Sequence, residues 1–312
     1  MAMSTHWTAK DIPSLRGRRF LITGANSGIG FQAALKLARR EADLILACRD
    51  RRKGEAALAS LQNDAPGARA ELGILDLASL ESVRRFAADE LAKQRPLHVL
   101  INNAGVMALP RRTETTDGFE MQFGTNVLGH FALTGLLLPA LERASTSLAH
   151  SRIVTIASIA HKRGRLDLDG LQSTRSYSPG KAYQQSKLGD LMFAFELSRR
   201  LRSAGSSVLS IAAHPGVAAT ELFRGAVPKA LHGLISRTIS TFLNTDAEGA
   251  LPTLCAATSP DAVDGGYYGP QGFQEMRGDT VGPAKVAPQA RDTDAAARLW
   301  EMCEQWTGVR FP

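Results

Sequence analysis

Short apolar runs alternate with longer segments of helical periodicity along most of this chain, and this alternation limits the fold more than any other feature. The apolar runs, predicted as strands, are residues 19–23, 43–48, 69–75, 98–102, 152–157 and 208–213. The predicted helices are residues 28–40, 53–62, 80–93, 119–141, 182–203, 245–257 and 292–306. Most of the strands are apolar throughout, as in a parallel sheet that helices cover on both faces. We therefore expect an α/β protein with one doubly wound, mainly parallel seven-stranded sheet of the Rossmann type.

Two pairs of residues have the spacing of a capping box, in which two side chains satisfy backbone N–H groups at a helix start. Asp117 and Glu120 predict the start of the helix at 119–141. Thr245 and Glu248 predict the start of a later helix in the same way.

The composition is that of a protein with a substantial core. Hydrophobic residues make up 44% and charged residues 21% of the 312, which excludes a disordered chain, a collagen-like repeat and a disulfide scaffold. No internal repeat or Pro/Gly/Ser-rich linker divides the sequence. We expect one domain over residues 1–312, with an N-terminal lead at 1–17, a core fold at 18–270 and a C-terminal cover at 271–312.

Charge and cysteine content say little about partners but favour one compartment. The excess of 37 basic over 30 acidic residues gives a net charge of +7, without the recognition motif or basic stripe that nucleic-acid binding needs. The three cysteines are far apart, and no cluster has metal-ligand spacing. The first residues lack the apolar core of a secretory signal, and the longest apolar stretch, 131–141, is too short to span a bilayer. We expect a cytoplasmic protein with no integral membrane segment and no metal.

A glycine-rich turn follows the first predicted strand and opens the first predicted helix. Gly24, Gly28 and Gly30 have the spacing G-x-x-x-G-x-G. Glycine permits a tight turn and lets a pyrophosphate approach the backbone, while the helix N-terminus attracts the anion. The turn therefore predicts a dinucleotide site.

The end of the second predicted strand indicates which dinucleotide is bound. An acidic residue about 20 positions beyond the turn would bind a ribose diol, whereas an arginine would accept a 2′-phosphate. Cys48 stands at that distance and Arg49 follows it. NADP is therefore favoured, with NAD as the second option, because Asp50 could face a diol if the turn differed slightly. The basic residues at 51–53 are expected to be solvated charges at a helix start.

Tyr183 and Lys187 are four residues apart and so share one face of a predicted helix. A tyrosine with an ordinary pKa near 10 is a poor base at neutral pH, but a nearby cation stabilises the phenolate and lowers that pKa. Tyr183 then becomes a usable general acid and base.

Taken together, these motifs resemble the short-chain dehydrogenase/reductase family, in the family's order and over nearly the whole chain. The motifs are Thr23-Gly-Ala-Asn-Ser-Gly-Ile-Gly30, Asp76-Leu77, Asn102-Asn-Ala-Gly105, Asn126 within 123–131, Ser158 after an apolar strand, Tyr183-x-x-x-Lys187 and Pro215-Gly-x-x-x-Thr220. Within the family, the sequence is most similar to the retinol-dehydrogenase-like group and the catalytic domain of WW-domain-containing oxidoreductases. The segments 47–50, 128–131, 186–188 and 214–216 carry that likeness.

The resemblance implies catalytic roles for four residues. Ser158 would donate a hydrogen bond to the substrate oxygen, and Tyr183 would exchange a proton with that oxygen while hydride moves between substrate and nicotinamide. Lys187 would hold the nicotinamide ribose, and Asn126 would anchor a water that links Lys187 to solvent. The cofactor-binding residues that it implies are Gly24, Asn26, Ser27, Gly28, Ile29, Gly30, Arg49, Asp76, Leu77, Asn103, Ala104, Gly105, Tyr183, Lys187, Pro215, Gly216 and Thr220.

The sequence also allows predictions, on weaker patterns, for one histidine and two further segments. The residues at 161–163 are expected to be a solvated charged loop rather than an anion contact. His214 is expected to be a buried structural histidine, because Tyr183 already supplies the proton. Apolar residues at 227–243 fall on one helical face and predict a lid over an apolar substrate, with a membrane-surface helix or a partner-binding face as alternatives.

The sequence therefore predicts an NADP-preferring oxidoreductase that interconverts an alcohol and a carbonyl on an apolar small molecule. One alternative is a carbon–carbon double-bond reductase of the protochlorophyllide-reductase-like type, which shares the Tyr/Lys pair. Another is a non-catalytic NADP-binding sensor or scaffold, which would have no need of all four catalytic residues. The resemblance also allows a homodimer or homotetramer formed through the two long helices.

Overall fold

The protein is built on one central sheet, seen in a computed structural model that describes residues 7–146, 149–217 and 244–312. The strands are β1 (Arg19–Thr23), β2 (Asp43–Cys48), β3 (Arg69–Ile74), β4 (Val99–Asn102), β5 (Arg152–Ile156), β6 (Leu209–Ala213), β7 (Tyr267–Pro270) and β8 (Val281–Pro283). Their order is β3–β2–β1–β4–β5–β6–β7–β8. All neighbours pair in parallel except β8, which runs antiparallel to β7. The doubly wound, mainly parallel sheet is confirmed.

The sheet has eight strands rather than the seven predicted, and two of them lie outside the strand ranges located from the sequence. β7 has the sequence Tyr-Tyr-Gly-Pro and β8 the sequence Val-Gly-Pro, so neither shows a run of β-branched residues. Glycine and proline are depleted in strands, and proline is tolerated where its missing N–H faces away from the ladder, as at an edge. These two short strands therefore depend on pairing with the sheet rather than on local propensity.

Helices cover both faces of the sheet and match the predicted ones to within a few residues. They are α1 (Gly28–Ala38), α2 (Arg51–Asp64), α3 (Leu80–Ala92), α4 (Met121–Ala144), α5 (Pro179–Ser203), α6 (Leu251–Thr258) and α7 (Thr293–Thr307). A short helical turn, Asp246–Gly249, precedes α6 and begins with the predicted capping box of Thr245 and Glu248. The other predicted box is wrong. Asp117 accepts from the backbone N–H of Leu80 in α3, and Glu120 itself caps α4 through the N–H of Phe123.

Two apolar clusters sandwich the sheet. Leu21 in β1 belongs to the cluster under α3, α4, α5 and α7, whereas its neighbours Phe20 and Ile22 point into the cluster under α1 and α6. By length and composition α4 could cross a membrane, but 83% of its most apolar window is buried within the protein. We therefore assign α4 to the core.

The C-terminal helix α7 packs across α4 and α5 through an aromatic cluster. The indole of Trp300 lies 4.9 Å from the ring of Phe131, 5.9 Å from that of Phe193 and 4.7 Å from that of Phe311, measured between ring centroids. Trp300 is 2% exposed. The chain's own C-terminal helix thus covers part of both long helices. Assembly into a dimer or tetramer stays a prediction, as does the division of the chain into lead, core and cover.

Replacing Trp300 by alanine should lower the free energy of unfolding by about 3 to 5 kcal/mol, because it leaves a cavity among the three phenylalanine rings. Urea denaturation followed by circular dichroism measures the change. Phe273→Ala is the control, since this ring is 80% exposed and its loss should cost less than about 0.5 kcal/mol. Equal losses in the two variants would show that the aromatic cluster does not hold α7 in place.

Candidate active site

A cleft opens at the carboxyl ends of the strands, where the strand order reverses between β1 and β4. It encloses a cavity of about 310 Å³. The cavity-lining residues that were predicted as cofactor contacts are Gly24, Asn26, Ser27, Gly28, Ile29, Gly30, Arg49, Asp76, Leu77, Asn103, Ala104, Gly105, Tyr183, Lys187 and Pro215. Residues far apart in the sequence thus meet at one edge of the sheet.

The glycine turn between β1 and α1 has the geometry of an anion cradle. Gly24 has a φ of +67°, a conformation that glycine adopts at no steric cost. A Cβ on Gly30 would lie 2.5 Å from Nδ2 of Asn103 and 2.6 Å from the carbonyl oxygen of Gly24, so no side chain fits there. Ser27 precedes α1 without a side-chain cap bond to any described residue. The first turn of α1 therefore presents backbone N–H groups to an anion, as a dinucleotide phosphate requires.

Arg49 and Asp50 follow β2 and differ in what their side chains do. Arg49 is exposed and lines the cavity. Asp50 caps α2, because its Oδ1 accepts from the backbone N–H of Lys53 at 2.9 Å. That hydrogen bond is the main cause that lowers the pKa of Asp50. The Asp50 carboxylate thus caps the helix, whereas Arg49 lines the cavity.

The loop after β4 is fixed to the end of β1 by one hydroxyl. Oγ1 of Thr23 accepts from the backbone N–H groups of Asn103 and Ala104, each at 2.9 Å. Asn103 also donates from Nδ2 to the carbonyl oxygen of Thr23 at 2.7 Å. Asp76, which follows β3, accepts from the N–H of Ala78 at 3.0 Å. These bonds set the wall of the cavity.

Asn126 lies in a π-helical segment of α4, Gly124–Leu128. Such segments are rare and frequent at functional sites. The side chain of Asn126 bridges both backbone groups of Val106, accepting from its N–H at 2.8 Å and donating to its carbonyl at 3.0 Å. It also donates to Oγ of Ser186 on α5 at 3.0 Å. The amide of Asn126 therefore joins the cofactor loop, α4 and α5.

His130 completes this arrangement, and the sequence analysis gave it no role. Its Nδ1 lies 2.8 Å from the carbonyl oxygen of Asn126 and its Nε2 2.9 Å from Oγ1 of Thr23. Burial lowers the pKa of His130 to about 3, so the ring is neutral. Because a carbonyl only accepts, Nδ1 carries the proton and Nε2 accepts from the threonine hydroxyl. No sequence signal separates this histidine from an ordinary core residue.

Ser158 follows β5 and is 9% exposed. Its Oγ accepts from the backbone N–H of Ala160 at 3.1 Å, which leaves the hydroxyl proton to be donated elsewhere. Its carbonyl accepts from Nδ1 of His161 at 2.6 Å, and Nε2 of His161 accepts from the N–H of Ala287 at 3.3 Å. The expected solvated loop is thus wrong for His161, which is fully buried, and for Lys162, whose Nζ lies 2.6 Å from a carboxylate oxygen of Glu275.

Tyr183 and Lys187 both lie on α5 and both line the cavity. Nζ of Lys187 donates to the carbonyl oxygen of Ile156 at the end of β5 and to Oδ2 of Asp190, each at 2.8 Å. Asp190 is 2% exposed, and burial raises its pKa to about 6, although Lys187 opposes the shift. Asp190 was not among the predicted site residues, although its i, i+3 spacing from Lys187 indicates an ion pair on one helix face.

The turn after β6 places Pro215 and Gly216 beside the site. Gly216 has a φ of +75°, and its N–H donates to Nδ1 of His214 at 3.2 Å. His214 is buried as expected, but its Nε2 has no hydrogen-bond partner among the described residues. Asn244 holds the turn by donating to the carbonyl of Pro215 at 2.8 Å. Thr220 and the predicted lid at 227–243 lie outside the described residues.

No metal centre accompanies the cavity in residues 7–146, 149–217 and 244–312, where no group of three or more His, Cys, Asp or Glu side chains could hold an ion. The residues present instead fit a nicotinamide dinucleotide. The glycine turn suits the pyrophosphate, and Arg49 and Lys187, which also line the cavity, are cations that suit a ligand with phosphate groups. Bound there, the dinucleotide would supply or accept a hydride.

Comparison with known proteins identifies the relatives of this chain. The sequence model of the short chain dehydrogenase family matches residues 18–230. Human retinol dehydrogenase 13 is 41% identical over 96% of this chain and 87% of its own length, and mouse polyprenol dehydrogenase is 40% identical over 96% and 86%. An uncharacterised protein from Mycobacterium paratuberculosis is 42% identical, with a TM-score of 0.80 over 99% of this chain and all of that one. The Pseudomonas aeruginosa RhlG/NADP complex, 22% identical with a TM-score of 0.62 over 81% of this chain and 94% of that one, shares the fold.

Substituting Gly30 by alanine should weaken NADPH binding about tenfold or more, because the new Cβ would displace the backbone of Gly24 from the anion cradle. Quenching or enhancement of NADPH fluorescence on titration measures the affinity. Gly180→Ala, on α5, is the matched control, since its Cβ would meet no atom within 4 Å. If Gly30→Ala bound NADPH as tightly as the control, the pyrophosphate would not lie at this turn.

Proposed function

The chain belongs to the short-chain dehydrogenase/reductase family, within its retinol-dehydrogenase-like group, and we propose that it interconverts an alcohol and a carbonyl on an apolar small molecule, with NADP as its preferred cofactor. It is an oxidoreductase that acts on CH–OH groups. One observation carries the proposal above the others. Tyr183 and Lys187 line the same cavity as the glycine turn, so the proton donor and the dinucleotide site adjoin each other.

In the proposed reaction, the phenol of Tyr183 gives a proton to the carbonyl oxygen during reduction and takes it back during oxidation. The hydroxyl of Ser158, whose oxygen already accepts from Ala160, donates a hydrogen bond to the same oxygen. Lys187 places a positive charge one helical turn from the phenol, which favours the phenolate. The amide of Asn126 keeps the cofactor loop and α5 at a fixed separation.

The apolar character of the substrate rests on the relatives and on two apolar residues that line the cavity. Retinol and polyprenol, in the names of two relatives, are both long apolar alcohols. Val106 and Met107, two apolar residues, line the same cavity as Tyr183. A cytoplasmic location is likewise a proposal. It is supported by Cys48 and Cys303, two buried thiols that form no disulfide among the described residues, as is usual in a reducing compartment.

The preference for NADP rests on the contrast between Arg49 and Asp50. Asp50 is held at the start of α2 by its bond to Lys53, so the carboxylate that would bind a ribose diol is engaged elsewhere. Arg49 is an exposed residue that lines the cavity, and a guanidinium suits a 2′-phosphate.

Arg49→Gln should raise the KM for NADPH by about ten- to hundredfold, because a charge-assisted bond to the 2′-phosphate is lost, while the KM for NADH stays within about twofold. Steady-state kinetics with each cofactor measure both values. Arg52→Gln removes the same charge from the adjacent exposed stretch of α2 and should leave both constants unchanged. A KM for NADPH no lower than that for NADH in the unaltered enzyme would overturn the preference.

Tyr183→Phe should lower kcat by about 10²- to 10⁴-fold while NADPH binding stays nearly intact, because only the ionisable hydroxyl is removed. NADPH oxidation against aldehydes, ketones, quinones and retinoids, with identification of the product, provides the assay. An alcohol as product supports the proposal, whereas a saturated carbon–carbon bond would indicate the double-bond reductase. NADPH binding with no turnover of any substrate by the unaltered protein would favour the sensor or scaffold.

A further inference from the structure

We propose that Asp190 is a positioning residue that holds the ammonium of Lys187 and offsets part of its charge, so that it sets the pH at which Tyr183 exchanges its proton. The expected effect on the pH profile of catalysis rests on the proposed function. The effect of Asp190 on ionisation of the Tyr183 phenol involves only residues of this chain and can be measured without substrate or cofactor.

Lys187 and Asp190 form a buried ion pair on α5. Nζ of Lys187 lies 2.8 Å from Oδ2 of Asp190, one helical turn further along α5. The two side chains are 7% and 3% exposed, so solvent hardly screens the pair. Nζ also donates to the carbonyl oxygen of Ile156 at 2.8 Å. Two acceptors on different elements, the end of β5 and α5, thus fix where the ammonium lies.

The groups that face Asp190 and Lys187 from the neighbouring helices are uncharged at neutral pH. On α4, burial lowers the pKa of His130 to about 3, and Lys187 contributes to that shift. On α7, burial raises the pKa of the Cys303 thiol, and Asp190 adds to that effect. Asp190, on α5, is the carboxylate that is ion-paired with Lys187.

The groups that face Tyr183 from the other side carry no net charge either. On β7, burial raises the pKa of Tyr267 well above its usual value, and Tyr183 adds to the shift. In the turn after Ser158, burial lowers the pKa of His161. Lys162, next to it, is paired with Glu275. The pair on α5 places its two charges on the same helix as the phenol, four and seven residues from it.

Lys187 and Asp190 act on ionisation of the Tyr183 phenol in opposite directions. Lys187 favours the phenolate, and the carboxylate of Asp190 disfavours it by opposing that field. Removing the carboxylate charge should therefore move phenol ionisation to lower pH. Asp190 is seven residues from Tyr183, about 10 Å along a helix, where one unit charge shifts an ionisation by roughly half a unit to one unit. Because burial raises the pKa of Asp190 to about 6, the same change should begin in the unaltered protein below that pH.

Asp190→Asn tests this, because asparagine keeps a carbonyl acceptor for Nζ and removes the charge. The readout is tyrosinate absorbance during an alkaline titration of the cofactor-free protein, with the Tyr183→Phe titration subtracted to isolate Tyr183. We expect the midpoint to fall by about half a unit to one unit. In the kinetic arm, the acid limb of kcat/KM for alcohol oxidation should move to lower pH by the same amount.

Glu196→Gln is the matched control. Glu196 is a buried carboxylate on the same helix, ion-paired with Arg199 and with Arg200 and remote from the cavity. A general loosening of α5 would shift the Tyr183 titration in both variants. Loss of the Asp190 charge should shift it only in Asp190→Asn. Asp190→Ser, which is smaller and also neutral, provides a second test if asparagine impairs folding, with circular dichroism as the check.

An unchanged midpoint in a folded Asp190 variant would overturn the proposal, as would an equal shift in Glu196→Gln. Failure of both Asp190 variants to fold would assign this residue a purely structural role and overturn it too. A shifted phenol titration in a protein that reduces no carbonyl would retain the effect on the phenol and reject the proposed function, so the two failures are distinguishable.

Discussion

The hydroxyl of Thr23 connects the glycine turn and the loop after β4 with the π-helical segment of α4. It stands where β1 ends and the glycine turn begins, and it accepts from the two N–H groups that start the loop after β4. Its own proton goes to His130, whose other nitrogen donates to the carbonyl of Asn126 in the π-helical segment. The glycine turn and the π-helical segment that carries Asn126 are therefore linked through the side chain of Thr23. A threonine suits this position, because a hydroxyl accepts two bonds and donates one.

Burial, more than charge, decides the protonation of the groups around the cavity. Desolvation is the largest cause of the lowered pKa values of His130, His161 and His214, and it keeps these rings neutral. The rings of His130 and His161 each have a defined tautomer, because Nδ1 donates to a carbonyl and Nε2 accepts from a hydroxyl or an N–H group, so each ring orients its partners. The exception is the pair of Lys187 and Asp190, where two opposite charges share one buried position. The neutral histidines orient their hydrogen-bond partners, and the ion pair of Lys187 and Asp190 supplies the charges near the phenol of Tyr183.

How much the sequence predicts depends on how local the determining interactions are. The strands β1 to β6 and the turn at Gly24 could be found, because apolar runs, glycine spacing and helix periodicity are properties of neighbouring residues. β7 and β8 could not, since tyrosine, glycine and proline pair there only because a sheet edge is present. His130 meets Thr23 across 107 positions and His161 meets Ala287 across 126, contacts that no local pattern contains. Tyr183 was identified through spacing, but the partner that modulates its lysine was not.

A buried ion pair also bears on whether the chain is a catalyst or a binding scaffold. Taking two charges out of water costs several kcal/mol each, and well-packed apolar residues of similar volume are often no less stable. A protein that only bound a nucleotide could keep Lys187 for the ribose and place an uncharged acceptor at position 190. The pair is useful where a phenol one helical turn away must change its protonation during a reaction. The cost of burying these charges therefore favours an enzyme over a sensor, on physical grounds independent of sequence likeness.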